Sequence, residues 1–145
     1  LNKLNESTSG HEVSSVKREL QEVMQNYFGV FRRGDYMEKG VSALSDIREK
    51  IDNLHLQDKS AAFNTNRVEA IELQNLFEVA EATAISSLQR TESRGAHARE
   101  DYPDRDDENW LCHSLYDPTS KSLGKRKVNF KPKQVDAFPP KIRTY

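Results

Sequence analysis

Residues 13–31 read VSSVKRELQEVMQNYFGVF, and within them Val16, Leu20, Val23, Met24, Tyr27 and Phe31 recur at steps of three and four. An α-helix turns once per 3.6 residues, so this spacing gathers the six side chains on one stripe. The pattern predicts an amphipathic helix over the whole stretch. Arg32-Arg33-Gly34 follows it. Cations suit the negative end of the helix dipole, and glycine suits the left-handed turn that closes a helix.

Working outward, Asp35 with Glu38 three residues later reads as a capping box opening a second helix. Its stripe is Met37, Val41, Leu44, Ile47, Ile51 and Leu54, ending near residues 53–55. Residues 56–65 are a connector. Asn66 with Glu69 repeats the capping signature for a third helix to about Arg90, with Val68, Ile71, Leu76, Val79 and Ala82/Thr83 on its apolar side. Small residues there (Ala80, Ala82, Ala84, Ser86, Ser87) permit close approach of another surface. All five prolines lie at position 103 or beyond, so none interrupts these helices. The expected fold is mainly α: a flexible lead-in over 1–12, then an antiparallel three-helix bundle over 13–90.

Residues 91–145 are punctuated by proline and predict a β-hairpin and an extended C-terminal tail packed on the bundle, one domain overall. Asn109 to Tyr116 suits a strand, Asp117-Pro118-Thr119-Ser120 a turn, and Lys125 to Phe130 a returning strand. From Lys131 the chain reads as an extended tail, ordered only where it lies on something.

Composition narrows the function. The 145 residues carry 22 Lys+Arg against 23 Asp+Glu, a net charge of −1, which argues against a dedicated binder of nucleic acid or acidic membranes. No apolar run approaches the ~18 residues of a spanning helix, and no signal-peptide pattern opens the chain. The single cysteine excludes an internal disulfide and fits a reducing, cytoplasmic setting. The start at Leu1-Asn2-Lys3, without an initiator methionine, predicts a piece cut from a longer product.

The densest polar segment is residues 92–108, ESRGAHAREDYPDRDDE. Carboxylates near His97 raise acid–base or metal chemistry, but no HExxH, paired CxxC or EF-hand spacing accompanies them. Arginines alternate with the acids, and an ion-pair network accounts for them better. Cys112 and His113 are adjacent, so in a strand they point to opposite faces and cannot act as nucleophile and base; Cys112 reads as a buried, inert thiol. His11 and His55 lie near helix ends. The basic run Lys121, Lys125, Arg126, Lys127, Lys131 and Lys133 surrounds Phe130 and reads as a solvated hairpin edge rather than a phosphate track. No GxGxxG or GxxxxGK[ST] loop occurs. Catalytic, cofactor-binding and metal residues are therefore expected to be none.

The segment Glu92–Leu111, ESRGAHAREDYPDRDDENWL, closely resembles the C-terminal region of the succinate dehydrogenase flavoprotein subunit, and Phe138–Tyr145, FPPKIRTY, resembles that subunit's chain end. Met24-Gln25-Asn26 through Val30-Phe31-Arg32, Phe63-Asn64-Thr65 and Glu72-Leu73-Gln74-Asn75-Leu76 are similar to its helical domain, so the likeness covers roughly residues 15–145. The wording from Asp107 to Tyr116 is closer to bacterial members. Fumarate reductases rank second, L-aspartate oxidases are more remote, and a stand-alone helical interaction module is the reading from another class.

The resemblance implies a domain of an enzyme that oxidises succinate to fumarate on FAD and passes electrons to an iron–sulfur subunit and quinone. FAD would sit in the parent subunit and no cofactor in this chain, which is expected to be inactive alone. Its implied partners are the flavin-binding and capping domains and the iron–sulfur subunit, at the cytoplasmic face of the inner membrane. Arg94, Gly95, His97, Arg99, Asp101, Arg105, Asp106 and Asp107 are the candidates for interdomain docking, because they crowd the junction between the helical and proline-punctuated parts.

Overall fold

A computed structural model describes residues 9–139 and 141. In chain order the elements are β1 His11–Glu12, α1 Val13–Tyr27, β2 Phe31–Arg32, α2 Gly34–Asp52, β3 Leu54–His55, α3 Thr65–Gln89, β4 Ala98–Arg99, α4 Asp107–Trp110, β5 Cys112–Asp117 and β6 Ser122–Lys127. The three long helices pack on one another around one apolar core. Val13, Val16 and Leu20 come from α1, Met37, Leu44, Ile47 and Ile51 from α2, and Ala70, Leu73, Phe77, Ala80 and Ala84 from α3.

The stripes of α1 and α2 face this core, with three corrections. α1 stops at Tyr27, four residues short of the expected end, so Phe31 is 76% exposed and Phe28 is buried in its place. Gly40 is what lets α1's end approach α2: a Cβ there would meet the Phe28 ring at 2.5 Å. Leu54 is buried but belongs to β3. The Asp35/Glu38 capping box does not form, since α2 starts at Gly34 and Asp35 pairs instead with Arg33.

α3 departs further. Its buried side runs through Ala70, Leu73, Phe77, Ala80, Ala84 and Ser87, whereas Val68, Leu76 and Val79 of the expected stripe are exposed by 54%, 41% and 66%. The helix is apolar along two sides, and periodicity selected the outer one. Its cap is Asn64, whose side chain accepts from the Arg67 N–H at 2.8 Å, rather than Asn66. The residue before Asn64, Phe63, has φ +53° and projects fully into solvent.

Short parallel pairs bind the connections to the bundle. β1 pairs with β3, so His11 and Glu12 of the expected lead-in lie alongside Leu54 and His55. β2 pairs with β4, setting Phe31 opposite Ala98 and Arg32 opposite Arg99. β5 and β6 pair antiparallel from Cys112↔Lys127 to Asp117↔Ser122, a returning strand three residues earlier than expected. Beyond β6 no strand or helix forms in the described residues, and Arg105 Nη1 donates to the Lys141 carbonyl of the tail at 3.0 Å. Pro140 and residues 142–145 of the expected chain end lie outside the described residues.

Candidate functional site

The site candidates gather where α3 ends. The last carbonyls of a helix have no partner within it and carry its negative dipole end. At α3 they are met by Arg99, which is 3% exposed: its Nη1 donates to the carbonyls of Ser87 (3.2 Å), Leu88 (3.0 Å) and Arg90 (3.1 Å). The rest of the guanidinium forks onto Asp101, Nε to Oδ1 and Nη2 to Oδ2, both at 2.7 Å. Asp101 Oδ2 in turn accepts the N–H of Gly34 at 2.9 Å, which is the first residue of α2. One ion pair thus closes the C-terminus of α3 and the N-terminus of α2, each with the charge its dipole favours. Arg99 and the Gly34 amide hold the Asp101 carboxyl far below its ordinary range.

Next to it, Arg32 and His97 fix one another. Arg32 Nη1 lies 2.8 Å from His97 Nδ1, and His97 Nε2 lies 3.1 Å from the Arg90 carbonyl. A guanidinium only donates, so Nδ1 must accept, and Nε2 carries the proton and donates. The ring is therefore neutral. Burial pushes its pKa down, the bond to the Arg90 carbonyl opposes this, and the cations Arg32, Arg99 and Arg90 add to the lowering.

A second knot centres on Glu92, which is fully buried. Its carboxylate accepts from Arg94 Nε (2.8 Å) and Nη2 (2.9 Å), from the Asp106 N–H (2.8 Å) and from Arg90 Nη1 (2.5 Å). Burial alone would raise its pKa, but these bonds outweigh it and the carboxyl titrates below its usual range. Arg94 also donates to Asp107 Oδ1 at 2.7 Å, and Arg105 donates to Asp107 Oδ2 at 2.8 Å. Hydrogen bonding to Glu92, against a burial penalty, and to Asp107 drives the Arg94 pKa upward. Asp106 caps α4 by accepting from the Asn109 N–H at 2.9 Å. Gly95 sits at the tip of the 94–97 turn with φ +59°, a left-handed conformation that favours glycine. All eight candidates thus lie in one junction.

Sequence reasoning missed Arg32, Arg90 and Glu92 as members. From sequence Arg32 reads as part of helix closure, whereas its pairing partner lies 67 residues away in β4. Arg90 Nη2 donates to the Cys112 carbonyl at 2.7 Å, and its guanidinium lies 5.0 Å from the centre of the Trp110 ring, tying α3 to the hairpin. Lys125 covers the same ring at 3.5 Å, so this member of the basic run is spent on packing. Cys112 is half-buried rather than buried, with its Sγ at 3.9 Å from the Asn109 carbonyl. A third link, Glu81, is 8% exposed and joins α2 and the hairpin to α3 by accepting from Arg48 (2.9 Å) and Tyr116 (3.1 Å).

Among the described residues no three His, Cys, Asp or Glu side chains converge as a metal site, and no helix is long and apolar enough to cross a membrane. Every carboxylate of the junction described above is engaged by an N–H donor. The arrangement fastens helix ends, a loop and a hairpin together.

Comparison with known proteins assigns the fold. Residues 17–145 match the family described as "Fumarate reductase flavoprotein C-term". The succinate dehydrogenase flavoprotein subunit of Coxiella burnetii is 48% identical over 128 residues, covering 88% of this chain and 22% of that protein. The fumarate reductase flavoprotein subunit of Mycobacterium tuberculosis is 33% identical over 136 residues, covering 94% and 23%. The solved quinol fumarate reductase of E. coli superposes with a TM-score of 0.78 at 28% identity, over 95% of this chain and 24% of that one. The chain therefore spans about a quarter of the length of the proteins it matches. It belongs to the succinate dehydrogenase and fumarate reductase flavoprotein family, as the C-terminal domain of that family.

Proposed function

We propose that this chain is the docking and stabilising domain of a bacterial succinate dehydrogenase flavoprotein: an antiparallel three-helix bundle whose hairpin and tail lie against the rest of the subunit. The observation that carries the reading is the family match over residues 17–145 of a chain that covers only 22% of the Coxiella relative. In this reading the remainder holds FAD, takes up succinate and passes electrons to an iron–sulfur subunit at the cytoplasmic face of the inner membrane. The residues described here do not fit a dinucleotide. Among the described residues no glycine-rich strand-to-helix turn occurs, and Arg94, Arg99 and Arg105 are already closed by Glu92, Asp101 and Asp107. No step of the flavin reaction is assigned to them.

The role of Arg94, Gly95, His97, Arg99, Asp101, Arg105, Asp106 and Asp107 in this proposal is to give the 91–107 loop one shape. Arg99 and Asp101 fix its base on α2 and α3, and Arg94, Arg105 and Asp107 fix its outer limb. Charge reversal at Arg94 or Arg105 is expected to loosen docking in a full-length subunit while the helices keep their circular dichroism.

The test is capture of this chain by the separately produced remainder of a bacterial relative's subunit, followed by succinate-dependent dye reduction. Binding with recovered reduction supports the proposal. Two folded pieces that ignore each other favour the stand-alone module. Recovered fumarate reduction without succinate oxidation favours the fumarate reductase alternative.

A further inference from the structure

Arg32 differs from its neighbours. Arg90, Arg94, Arg99 and Arg105 each reach a carboxylate. Arg32 donates to the Gly29 carbonyl (3.0 Å), the Ser87 hydroxyl (3.3 Å) and the neutral His97 ring (2.8 Å), and makes no ion pair among the described residues. It is half-buried, and burial pulls its pKa down. A partly desolvated cation without a counter-charge is a costly arrangement for a chain to keep.

The guanidinium sits in the wall of an open depression of about 940 Å³, between the outer side of α3 and the hairpin. Val79, exposed by 66%, and Ala82 form its apolar flank, and Glu78 is the one acid in the wall. Glu78 is exposed and makes no ion pair with Arg32 among the described residues. The apolar outer side of α3, which the sequence presents as if it were core, thus borders an uncompensated positive charge.

We propose that this depression receives a carboxylate side chain carried on an otherwise apolar segment of the remaining three quarters of the family polypeptide, the carboxylate seating on Arg32 and the apolar flank on Val79 and Ala82. The inference rests on the docking reading and names the chemistry of the partner at one place on it. Charge complementarity selects the occupant, because an acid brought there forms a charge-assisted bond on a site already stripped of much of its water.

The experiment is a calorimetric titration of the 145-residue chain against the remainder of the Coxiella burnetii subunit, purified with its flavin. Arg32→Gln is expected to weaken binding by roughly 30-fold or more, as for loss of one partner of a buried charge pair, and Arg32→Lys by less. Val79 lies outside the core, so Val79→Asp and Val79→Lys keep the fold and test the sign of the occupant's charge. Asp at this position is expected to bind on the order of tenfold more weakly than Lys. Arg18→Glu, on the exposed side of α1, should leave the affinity unchanged. If Val79→Asp and Val79→Lys weaken binding equally and Arg32→Gln does nothing, the carboxylate assignment falls while the docking reading stands. If the unaltered chain does not bind, both fall. If phosphate or succinate alone raises the melting temperature of the chain and Arg32→Gln abolishes the rise, the site belongs to a small anion and the proposal is overturned.

Discussion

At the scale of single residues, the junction works because its charges, Arg32 apart, are placed against a helix end or a counter-charge. Replacing Arg99 by Met takes its donor from the Ser87 and Leu88 carbonyls, leaves the Arg90 carbonyl to His97 alone, and leaves Asp101 without its cation. The expected cost is about 3 kcal/mol in urea unfolding, and Arg99→Lys recovers only part, since an ammonium cannot fork onto Asp101 and reach the carbonyls together. Adding Asp101→Asn to Arg99→Met should cost less than the sum of the two single changes. His97 supplies a pH dependence. Its folded pKa is lowered, so below about pH 6.5 the unfolded chain takes up a proton that the folded ring refuses, and stability falls as pH drops from 7 toward 5.5. His97→Asn should flatten that slope. An unchanged slope in the variant would mean that another group sets it.

Element by element, the helices show what a single sequence carries. The stripes of α1 and α2 were legible because each has one apolar side, and the solvent side is marked by Lys17, Arg18, Glu19, Glu38 and Lys39. α3 misled because it is apolar twice over: Leu73 and Phe77 enter the core while Leu76 and Val79, each within two residues of Phe77, stay outside. Its start misled because Asn64 and Asn66 both suit a cap, and only the fold shows that Asn64 also donates to the carbonyls of Asp58 and Ser60. Asn64→Ala is therefore expected to cost about 1–2 kcal/mol, while Asn66→Ala, whose buried Oδ1 has no partner, should be close to neutral. Equal costs would return the cap to Asn66. Gly40→Ala should also destabilise, by about 1–3 kcal/mol, because the methyl group collides with the Phe28 ring; the gain in helix propensity is smaller.

For the whole molecule, the presence of the network was legible in the alternation of acids and arginines over 92–108, but its wiring was not. Gly34 and Asp101 are 67 residues apart, Arg32 and His97 65, and no local pattern announces such pairs. Acid should expose how much the assembly depends on them. Glu92 and Asp101 have folded pKa values below their ordinary ones, so their contribution is complete above about pH 5 and is lost as pH falls through the range below 4. A thermal midpoint that holds steady from pH 5 down to 3 would contradict this.

The chain's only tryptophan stands at the centre of these connections. Trp110 is 7% exposed, with the Arg90 guanidinium and the Lys125 ammonium both against its ring and its N–H on the Thr91 hydroxyl. Its emission is thus a built-in optical probe of the seam between α3 and the hairpin, and ellipticity at 222 nm follows the helices independently. Coincidence of the two signals on denaturation would show the hairpin and bundle melting as one cooperative unit.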